Sequence, residues 1–525
     1  MTNPNITTGL FDRAAENPDK AALIVSEKRL FGDPVEKIIS YRKMFQDVIR
    51  TAAALRARGF KKGDRIVVFV PMSYSLYVII LAILYIGAGV VFIDAWANRK
   101  RLEDCCRVVR PKGFIGSAMA QVLRLSPEIR QIPIKLMVRQ VVSPNDGETK
   151  SDIKACPEEV NEEDTAIITL TTGTTGLPKG AERSHGLLFN QFSVLTSHLK
   201  AEKTDVDMTV IPIYVFETLG LGTTSVLPLF NPAKPISFDP RLIVNQILKH
   251  AITISNGPPA FFGKLADYVL ENNIVLPIKR IIIGGAPVFR DLAQKLINAF
   301  PATQLEVVYG CTEVLPISSI PMKETLRYDP DYGLPVGKKA NSTEVAVVRP
   351  HDGPIVLNEG ETLSNFLATP GETGEIIVKG PHVLKRYLGN PEISRRNKIT
   401  AGNEVWHRTG DAGWIDPEGN IFLVGRVVRR FNSNGLSRYP IPYEQRLRTL
   451  PEVAFSAVLE HQGTIYAVVE LKKKITYDQS KLLVQIKKLL EDINPHNYLF
   501  LKEIPRDPRH NSKIDYEKLE KILSN

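Results

Sequence analysis

Residues 170–180 read LTTGTTGLPKG and continue a run, TAIITL at 165–170, that is typical of a β-strand. The glycines allow the backbone to turn so that several N–H groups converge, and the threonine hydroxyls add further donors. Lys179 adds a positive charge, so the composition predicts a loop that binds phosphate oxygens. The Walker pattern G-x-x-x-x-G-K-(S/T) does not fit, because Gly173 and Gly176 are too close and Pro178 precedes Lys179. The sequence therefore predicts a nucleotide-binding loop of another kind.

The bulk composition is that of a globular protein with more than one domain. The chain has 525 residues, which exceeds the size at which one hydrophobic core keeps growing. Its net charge of +10 suits polyanionic partners such as nucleotides, or weak attraction to an anionic membrane surface. The basic residues are spread along the chain without a zinc finger or an RNP motif, so we do not expect a nucleic-acid partner.

The cysteines and the N-terminal sequence favour a cytoplasmic location. Cys105, Cys106, Cys156 and Cys311 have neither metal-ligand spacing nor a plausible disulfide framework. We interpret the adjacent Cys105 and Cys106 as small buried apolar residues. The first twenty residues lack a basic segment followed by an apolar one, so we expect no secretory signal.

One apolar segment could be taken for a membrane span. Residues 76–93, LYVIILAILYIGAGVVFI, are eighteen residues without a charge, at the lower limit for crossing a bilayer. The glycines of GAG favour a different interpretation, a buried helix to about residue 86 followed by the strand VVFI in a parallel sheet. A helix joined to a strand cannot cross a bilayer as one span. Peripheral membrane contact remains the alternative.

Strand-like runs alternate with amphipathic helices, which predicts an α/β fold of layered, mainly parallel sheets. The runs are RIVVFV, TAIITL, MTVIPI, RIIIGG and QLEVVYG, with DLAQKLINAF as an example of a helix. From about residue 334 short strands predict a β-rich subdomain. A basic, turn-like stretch, VVRRFNSNGLSRYPIPYE, follows Arg426, and then a compact α+β pattern with a helix over about 477–493. We therefore predict a large N-terminal domain, 1–427, and a small C-terminal domain, 428–525.

Further segments accompany the glycine- and threonine-rich loop in a fixed order: GGAPV at 284–288, YGCTE at 309–313, RTGD at 408–411, GR at 425–426, and a late lysine, Lys513. Their type and order resemble the signatures of the acyl-adenylate-forming superfamily, which includes acyl-CoA synthetases, luciferases and peptide-synthetase adenylation domains. The resemblance covers nearly the whole chain, and it implies that 1–427 is an adenylation domain and that 428–525 is a mobile lid domain. It implies an enzyme that uses ATP and Mg²⁺ to turn a carboxylate into an acyl-adenylate with release of pyrophosphate.

The resemblance also implies roles for individual residues. The β- and γ-phosphates would be held by Thr171, Thr172, Gly173, Thr174, Thr175 and Lys179. The nucleoside would be held by Tyr309 stacked on adenine, Gly285 and Ala286 lining the base pocket, and Asp411 and Arg426 at the ribose. Thr312 would contact the α-phosphate region, and Glu313 would be the metal ligand that holds Mg²⁺. Without the resemblance, we would interpret Glu313 as a solvated acid in a loop and the TGD tripeptide as a turn.

Lys513, in the tail PRDPRHNSKIDYEKL, is the implied catalytic lysine. In the superfamily a lysine from the small domain reaches the substrate carboxylate and the α-phosphate, a task that suits a point charge on a flexible stem. The alternative is a surface lysine, since Lys518 and Lys521 lie nearby. The spacing from the IP pair at Ile504 favours Lys513 over the other two lysines as the catalytic residue.

Three departures from the superfamily pattern argue against coenzyme A as a second substrate. Acyl-CoA synthetases commonly have an aromatic–histidine pair where this chain has IPIYVFETLGLG at 211–222, with Tyr214, Phe216 and Glu217 but no histidine. Val428 occupies the fourth position of the motif that begins with the GR pair, where Asp or Lys is usual. Asn432 stands where a lysine is expected, although Gly435 is kept.

Several segments resemble one branch of the superfamily, the olefin-pathway β-lactone synthetases. They are TTGTTGLPKGAERSHG, LGLGTTSVLP, which we interpret as part of a substrate-side apolar helix, and DPRHNSKI. The resemblance implies that a long-chain 2-alkyl-3-hydroxy acid is adenylated and that its own 3-hydroxyl then closes the lactone. His185, Glu217 and His510 are candidate bases for that step.

Two alternatives remain open at this stage. One is a long-chain fatty acyl-CoA or acyl-AMP ligase, and the other is a catalytically silent nucleotide-binding partner. Retention of Lys179, Glu313, Asp411 and Lys513 argues against the silent partner. The basic stretch around Arg429 and Arg430 could contact a membrane surface or a pathway enzyme, or serve the domain motion.

Overall fold

The computed structural model describes residues 3–27, 34–93, 99–142, 156–172, 178–230, 236–357, 361–473, 478–507 and 511–524. The fold is mixed α/β, as the sequence predicts, with two large sheets, called sheet A and sheet B, and smaller sheets near the C-terminus. Helices and strands are numbered along the chain. The helices are α1 Thr8–Glu16, α2 Tyr41–Ala57, α3 Tyr74–Tyr85, α4 Arg99–Val109, α5 Pro127–Arg130, α6 His185–Leu199, α7 Tyr214–Leu221, α8 Pro240–Lys249, α9 Pro259–Glu271, α10 Arg290–Ala299, α11 Met322–Thr325, α12 Pro391–Asn397, α13 Pro440–Leu447, α14 Gln479–Leu489 and α15 Tyr516–Leu523.

Sheet A is parallel in its middle and antiparallel at both ends, where β2 pairs with β1 at one edge and β14 pairs with β13 towards the other. Its strands are β1 Ala21–Glu27, β2 Val35–Ser40, β9 Val206–Thr209, β10 Thr224–Val226, β11 Ile254–Gly257, β12 Arg280–Gly284, β13 Gln304–Cys311, β14 Val314–Pro321, β15 Leu334–Lys339, β16 Glu344–Val348, β17 Gly374–Lys379, β19 Lys398–Ala401, β20 Glu404–Ile415 and β21 Asn420–Arg426. Strands β13, β12, β11, β9, β10 and β1 pair in parallel. The region predicted to be β-rich from about residue 334 supplies β15, β16, β17, β19, β20 and β21, which pair antiparallel and extend the same sheet, whereas β18 joins sheet B.

Sheet B carries the strand that precedes the glycine- and threonine-rich loop. Its strands are β3 Arg65–Phe69, β4 Gly89–Phe92, β5 Gly113–Gly116, β6 Ile134–Met137, β7 Thr165–Thr172, β8 Pro178–Ser184 and β18 Tyr387–Leu388. The spatial order is β18-β8-β7-β4-β3-β5-β6, and all pairs from β7 to β6 are parallel. Each of the two large sheets therefore contains a set of parallel strands. Open α/β sheets bind ligands at the carboxyl ends of such strands.

The apolar segment at 76–93 is a buried helix and a buried strand, as predicted. Helix α3 begins after Ser73, whose hydroxyl accepts a hydrogen bond from the Leu76 amide, and it ends at Tyr85. The chain reverses at Gly87, whose φ of 68° suits glycine, and continues as β4 between β3 and β7. Among the described residues, no helix is both long and apolar enough to cross a membrane. Cys105 and Cys106 are buried in an apolar cluster, also as predicted.

Some boundaries differ from the predictions. The run LGLGTTSVLPLF is not a helix: α7 ends at Leu221, Gly222 takes a left-handed conformation with φ 79°, and β10 follows. The strand predicted over MTVIPI stops at Thr209, and the last predicted helix ends at Leu489 rather than near 493. Part of the turn-like stretch forms a hairpin, β22 Phe431–Ser433 with β23 Leu436–Arg438, and α13 then begins at Pro440.

The C-terminal part of the chain has its own sheet and its own apolar clusters. Strands β24 Val453–His461 and β25 Thr464–Leu471 pair antiparallel, and β26 Asn497–Leu501 adds in parallel. One cluster joins Phe431, Tyr443 and Leu447 to this sheet and to α14. The division at residues 427 and 428, and the mobility of the smaller part, stay predictions.

Candidate active site

The glycine- and threonine-rich loop connects two antiparallel strands, β7 and β8. Thr171 lies opposite Lys179 and Thr172 lies opposite Pro178. Gly173, Thr174 and Thr175 lie outside the described residues. Lys179 is partly buried and donates from Nζ to Oδ1 of Asn397 at 3.0 Å. Burial lowers the pKa of Lys179, and the nearby Glu313 opposes that effect.

The ends of β12 and β13 place the predicted base pocket beside the predicted stacking residue. Gly284 lies opposite Val308 in this parallel pair, one residue before Gly285 and Tyr309 respectively. A Cβ on Gly284 would stand 2.8 Å from the Val308 carbonyl oxygen, so the strand pairing requires glycine there. Gly285 has φ 83° and is exposed, and Ala286 follows it. The backbone thus leaves open space at the predicted base pocket.

A tyrosine, an aspartate and an arginine from three strands form one hydrogen-bonded group. The Tyr309 hydroxyl donates to Oδ2 of Asp411 at 2.7 Å, and Nη1 of Arg426 donates to Oδ1 of Asp411 at 2.6 Å. Asp411 and Arg426 are direct partners across β20 and β21. The charge of Asp411 raises the pKa of Arg426, whereas burial raises the pKa of Tyr309. The RTGD segment therefore lies within a strand and not in a turn.

Glu313, the predicted metal ligand, lies where β13 and β14 meet and is held by groups that the sequence did not single out. Its Oε1 accepts a hydrogen bond from the Tyr387 hydroxyl at 2.7 Å, and its carbonyl accepts from the Leu384 amide at 2.7 Å. Burial opposes the carboxylate charge, but the Tyr387 hydrogen bond and the Lys398 ammonium lower the pKa of Glu313 below its usual range. Glu313 is therefore a carboxylate at neutral pH.

Lys398 and His407 form the other side of this group. The Lys398 ammonium donates to the Leu384 carbonyl, and burial lowers the pKa of Lys398 to about 8. His407 donates from Nδ1 to the Asn397 carbonyl at 3.2 Å, and its Nε2 lies 3.8 Å from Sγ of Cys311. Burial and Lys398 lower the pKa of His407 to about 3, so the imidazole is neutral.

Sequence reasoning missed Tyr387, Lys398 and His407 as members of the site. Tyr387 reaches it because β18 pairs with β8, opposite Ala181 and next to the phosphate loop. Lys398 and His407 reach it because they are direct partners across β19 and β20. The one sequence signal was His407 within WHRTGD, directly before a segment already singled out.

The remaining predicted residues are placed differently. Thr312 lies between Cys311 and Glu313 and is partly buried. Lys513 is exposed, and its backbone bonds with Asp507 in its own tail. The described partners of Glu313, Tyr309 and Asp411 come from elsewhere in the chain. In this arrangement the structure does not bring Lys513 to these residues.

The donor set around Glu313 fits Mg²⁺ in the way nucleotide enzymes usually bind it. Mg²⁺ is held in such sites by one or two carboxylates together with substrate phosphates and waters. Glu313 supplies one ionised carboxylate, with Lys179 and Arg426 near enough to affect the charges in the site. The metal would neutralise charge on the phosphates when the nucleotide is bound.

The fold consists of layered α/β sheets, and the similarity of the chain to known proteins identifies it as an AMP-forming ligase or synthetase. The family model described as "AMP-binding enzyme" matches residues 10–388, and the chain belongs to this family.

Comparison with individual proteins agrees with this assignment. The chain is 28% identical over 548 residues to "Olefin beta-lactone synthetase" of Stenotrophomonas maltophilia, covering 99% of this chain and 98% of that protein. It is 25% identical over 548 residues to "Long-chain-fatty-acid--CoA ligase" of Bacillus subtilis, covering 96% and 92%. Its fold matches the crystal structure of ATP-bound MatB from Rhodopseudomonas palustris with a TM-score of 0.80 and 22% identity, covering 100% and 99% of the two chains.

Proposed function

We propose that this protein adenylates a long-chain 2-alkyl-3-hydroxy acid and then closes the acyl-adenylate to a β-lactone. In the first step a carboxylate oxygen attacks the α-phosphorus of ATP and pyrophosphate leaves. In the second step the oxygen of the 3-hydroxyl attacks the acyl carbon, the acyl–phosphate bond breaks, and AMP leaves while the hydroxyl proton passes to a base. The second nucleophile is already part of the substrate, so the site has only to orient it.

The observation that carries this proposal is the full-length similarity to an olefin β-lactone synthetase. The segment after β9 supports it. Helix α7 occupies the segment in which acyl-CoA synthetases commonly have an aromatic–histidine pair. It contains Tyr214, Phe216 and Glu217, all buried, and no histidine. A coenzyme A ligase needs residues that admit a thiol, and the expected lysine is replaced by Asn432, which is exposed on the β22–β23 hairpin.

Glu217 is the candidate base whose surroundings suit the lactone step best. Thr196 on α6 donates a hydrogen bond to its Oε1 at 3.3 Å, and burial together with Asp207 raises the pKa of Glu217 to about 8. A carboxyl with that pKa is ionised mainly above pH 8, so we expect lactone closure by this base to become faster as pH rises towards 8 and beyond. His185, in contrast, accepts a hydrogen bond from the Ile6 amide at Nδ1, and burial lowers its pKa to about 4. His510 lies outside the described residues.

The residues of the site would act on the nucleotide as follows. Lys179 and the loop before it would hold the β- and γ-phosphates, and Tyr309 would lie against adenine. Asp411 would accept hydrogen bonds from the ribose hydroxyls while Arg426 keeps its carboxylate oriented. Positive charge fixed near the phosphates stabilises the charge that develops on them during transfer.

The long-chain fatty acyl-CoA or acyl-AMP ligase stays the alternative, because of the similarity to the Bacillus subtilis enzyme. One experiment separates the two. The protein is incubated with ATP, Mg²⁺ and a long-chain 2-alkyl-3-hydroxy acid, with and without coenzyme A, and the products are identified by mass. We expect a β-lactone and AMP without coenzyme A. An acyl-CoA formed from a plain fatty acid, with no lactone from the hydroxy acid, would contradict the proposal.

The Glu217→Gln variant tests the base separately from adenylation. We expect pyrophosphate to be released at a rate close to that of the parent protein, while lactone formation falls and acyl-adenylate accumulates. The matched control is His185→Gln, in which we expect lactone to form without accumulation of acyl-adenylate, as in the parent protein. Equal losses of both steps in Glu217→Gln would assign Glu217 to folding or substrate binding instead.

A further inference from the structure

Glu313, the predicted magnesium ligand, belongs to a cluster whose other two members favour a different metal. A thiol, a carboxylate and an imidazole, from Cys311, Glu313 and His407, have their ligand atoms within 4.8 Å of one another. Mg²⁺ prefers oxygen ligands, whereas a thiolate together with an imidazole favours Zn²⁺. The cluster therefore contains two ligands, a thiol and an imidazole, that the binding of Mg²⁺ with the nucleotide does not require.

The distance between the thiol and the imidazole is that of two ligands of one ion. Zinc–nitrogen and zinc–sulfur bonds at a tetrahedral angle place the two ligand atoms about 3.6 Å apart. In the structure Sγ of Cys311 and Nε2 of His407 are 3.8 Å apart. Binding would need only a small adjustment of the two side chains.

The surroundings orient His407 as a ligand. Its Nδ1 donates to the Asn397 carbonyl at 3.2 Å, which leaves the lone pair on Nε2, the atom that faces the thiol. Metal-binding histidines are usually fixed by such a bond from the other ring nitrogen. Oε1 of Glu313 is held in the same way by the Tyr387 hydroxyl at 2.7 Å, and a carboxylate keeps capacity for a further partner.

We propose that Cys311, His407 and Glu313 form a Zn²⁺ site that adjoins the nucleotide site, with the fourth position open to water. The thiol gives up its proton to solvent when the ion binds, since only the thiolate is a strong ligand. Zn²⁺ there engages Glu313 and so competes with the use of this carboxylate for Mg²⁺–ATP. Zn²⁺ is therefore an inhibitor of adenylate formation. The inhibition rests on the proposed function, but the binding does not.

Cobalt(II) is the probe for the binding, because a Co²⁺–thiolate bond gives a near-ultraviolet charge-transfer absorption that histidine and carboxylate ligands alone do not give. The full-length protein is titrated with Co²⁺ in buffer free of Mg²⁺ and nucleotide. We expect one ion per chain with this absorption, its loss on addition of Zn²⁺, and its absence in Cys311→Ser. Cys156→Ser is the matched control, because Cys156 is exposed and outside the cluster, and it should keep the absorption.

Two results would overturn the site: no thiolate absorption in the parent protein, or the same absorption in Cys311→Ser. The His407→Ala variant should bind Co²⁺ much more weakly, because it lacks one of the three protein ligands. Circular dichroism checks that each variant is folded. Neither reading depends on which acid the enzyme activates, so failure of the metal site and failure of the proposed function remain distinct.

The competition is tested by pyrophosphate release at fixed Mg²⁺–ATP, as the ratio of rates with and without Zn²⁺ for each variant. We expect Zn²⁺ to lower this ratio in the parent protein and in Cys156→Ser, and much less in Cys311→Ser. Equal inhibition of all three proteins would overturn the proposed competition.

Discussion

At the scale of single residues, the Asp411 carboxylate has the most specific surroundings in the site. It accepts from Tyr309 on one oxygen and from Arg426 on the other, so its position is fixed before any nucleotide binds. Asp411→Asn keeps the size of the side chain but removes its charge. We expect KM for ATP to rise about tenfold to hundredfold, because a hydrogen bond to a charged group contributes roughly 1.5–3 kcal/mol.

Steady-state pyrophosphate release at several ATP concentrations measures this change. Glu418→Gln is the control, because Glu418 is an exposed acid in the turn that follows β20. An unchanged KM for ATP in Asp411→Asn would remove Asp411 from the ribose site.

Glu217 gives a prediction for stability against pH. Burial, with Asp207 adding to it, raises the pKa of Glu217 from 4.5 to about 8. Between these values the folded chain keeps a proton that the unfolded chain has released, so the free energy of unfolding falls as pH rises. Glu217→Gln stays neutral and should lack this part of the fall, which is on the order of a few kcal/mol.

Chemical denaturation of both proteins at pH 5 and at pH 8 checks the prediction. The parent protein should lose more stability between the two values than Glu217→Gln does. Other buried acids such as Glu444 titrate in both proteins. The difference between the two proteins in the stability lost from pH 5 to pH 8 is therefore due to Glu217. Identical losses would mean that Glu217 is ionised in the folded chain.

Residue types in the signature segments predict much of the site, because they are local in sequence. Tyr309, Asp411 and Arg426 were expected around the nucleoside, and the structure brings them into one hydrogen-bonded group. Tyr387 and His407 could not be predicted in the same way. They reach Glu313 through the pairing of β18 with β8 and of β19 with β20. The register between strands from distant segments cannot be deduced from the sequence of either strand alone.

At the scale of elements, hydrophobic runs predict where helices and strands exist better than where they end. The buried α3 and β4 were separated correctly because a glycine with positive φ stands between them. The run LGLGTTSVLPLF was misassigned because its apolar pattern continues without interruption through Gly222. A short apolar run fits a helix or a buried strand equally well, and only the left-handed glycine decides between them.

Two glycines of α7 test this account of where the helix ends. Gly222 has φ 79°, so Gly222→Ala should lower the free energy of unfolding by about 1 kcal/mol. Gly220 lies inside the helix, and a Cβ there would stand 3.6 Å from Cδ2 of Leu10, an ordinary contact. Gly220→Ala should be neutral or stabilising, because alanine favours helix. Thermal midpoints of the two variants give the comparison, and an equal effect in both would contradict it.

At the scale of the whole molecule, α13 holds the C-terminal part in the arrangement seen. Arg446 binds both carboxylate oxygens of Asp331 at 2.6 and 2.9 Å, and Gln445 donates to the carbonyls of Pro330 and Gly333 at 2.9 Å each. Arg448, just after α13, lies 3.3 Å from Asp291. Lys513 is exposed in this arrangement and its described backbone contacts lie within its own tail, so we expect any action of Lys513 on the substrate to require an exchange of the α13 contacts.

Lys513→Ala tests whether the tail lysine takes part in adenylation at all. We expect adenylate formation to fall by ~10²-fold, the effect of removing one positioned charge from a transferring phosphoryl group. The affinity for ATP should change little, because the described partners of Tyr309, Asp411 and Glu313 do not include the tail. Lys521→Ala, an exposed lysine on α15, is the matched control. Single-turnover pyrophosphate release and equilibrium ATP binding separate the two effects. A normal rate in Lys513→Ala would make this residue a surface lysine, and loss of ATP binding would place it in the nucleotide site instead.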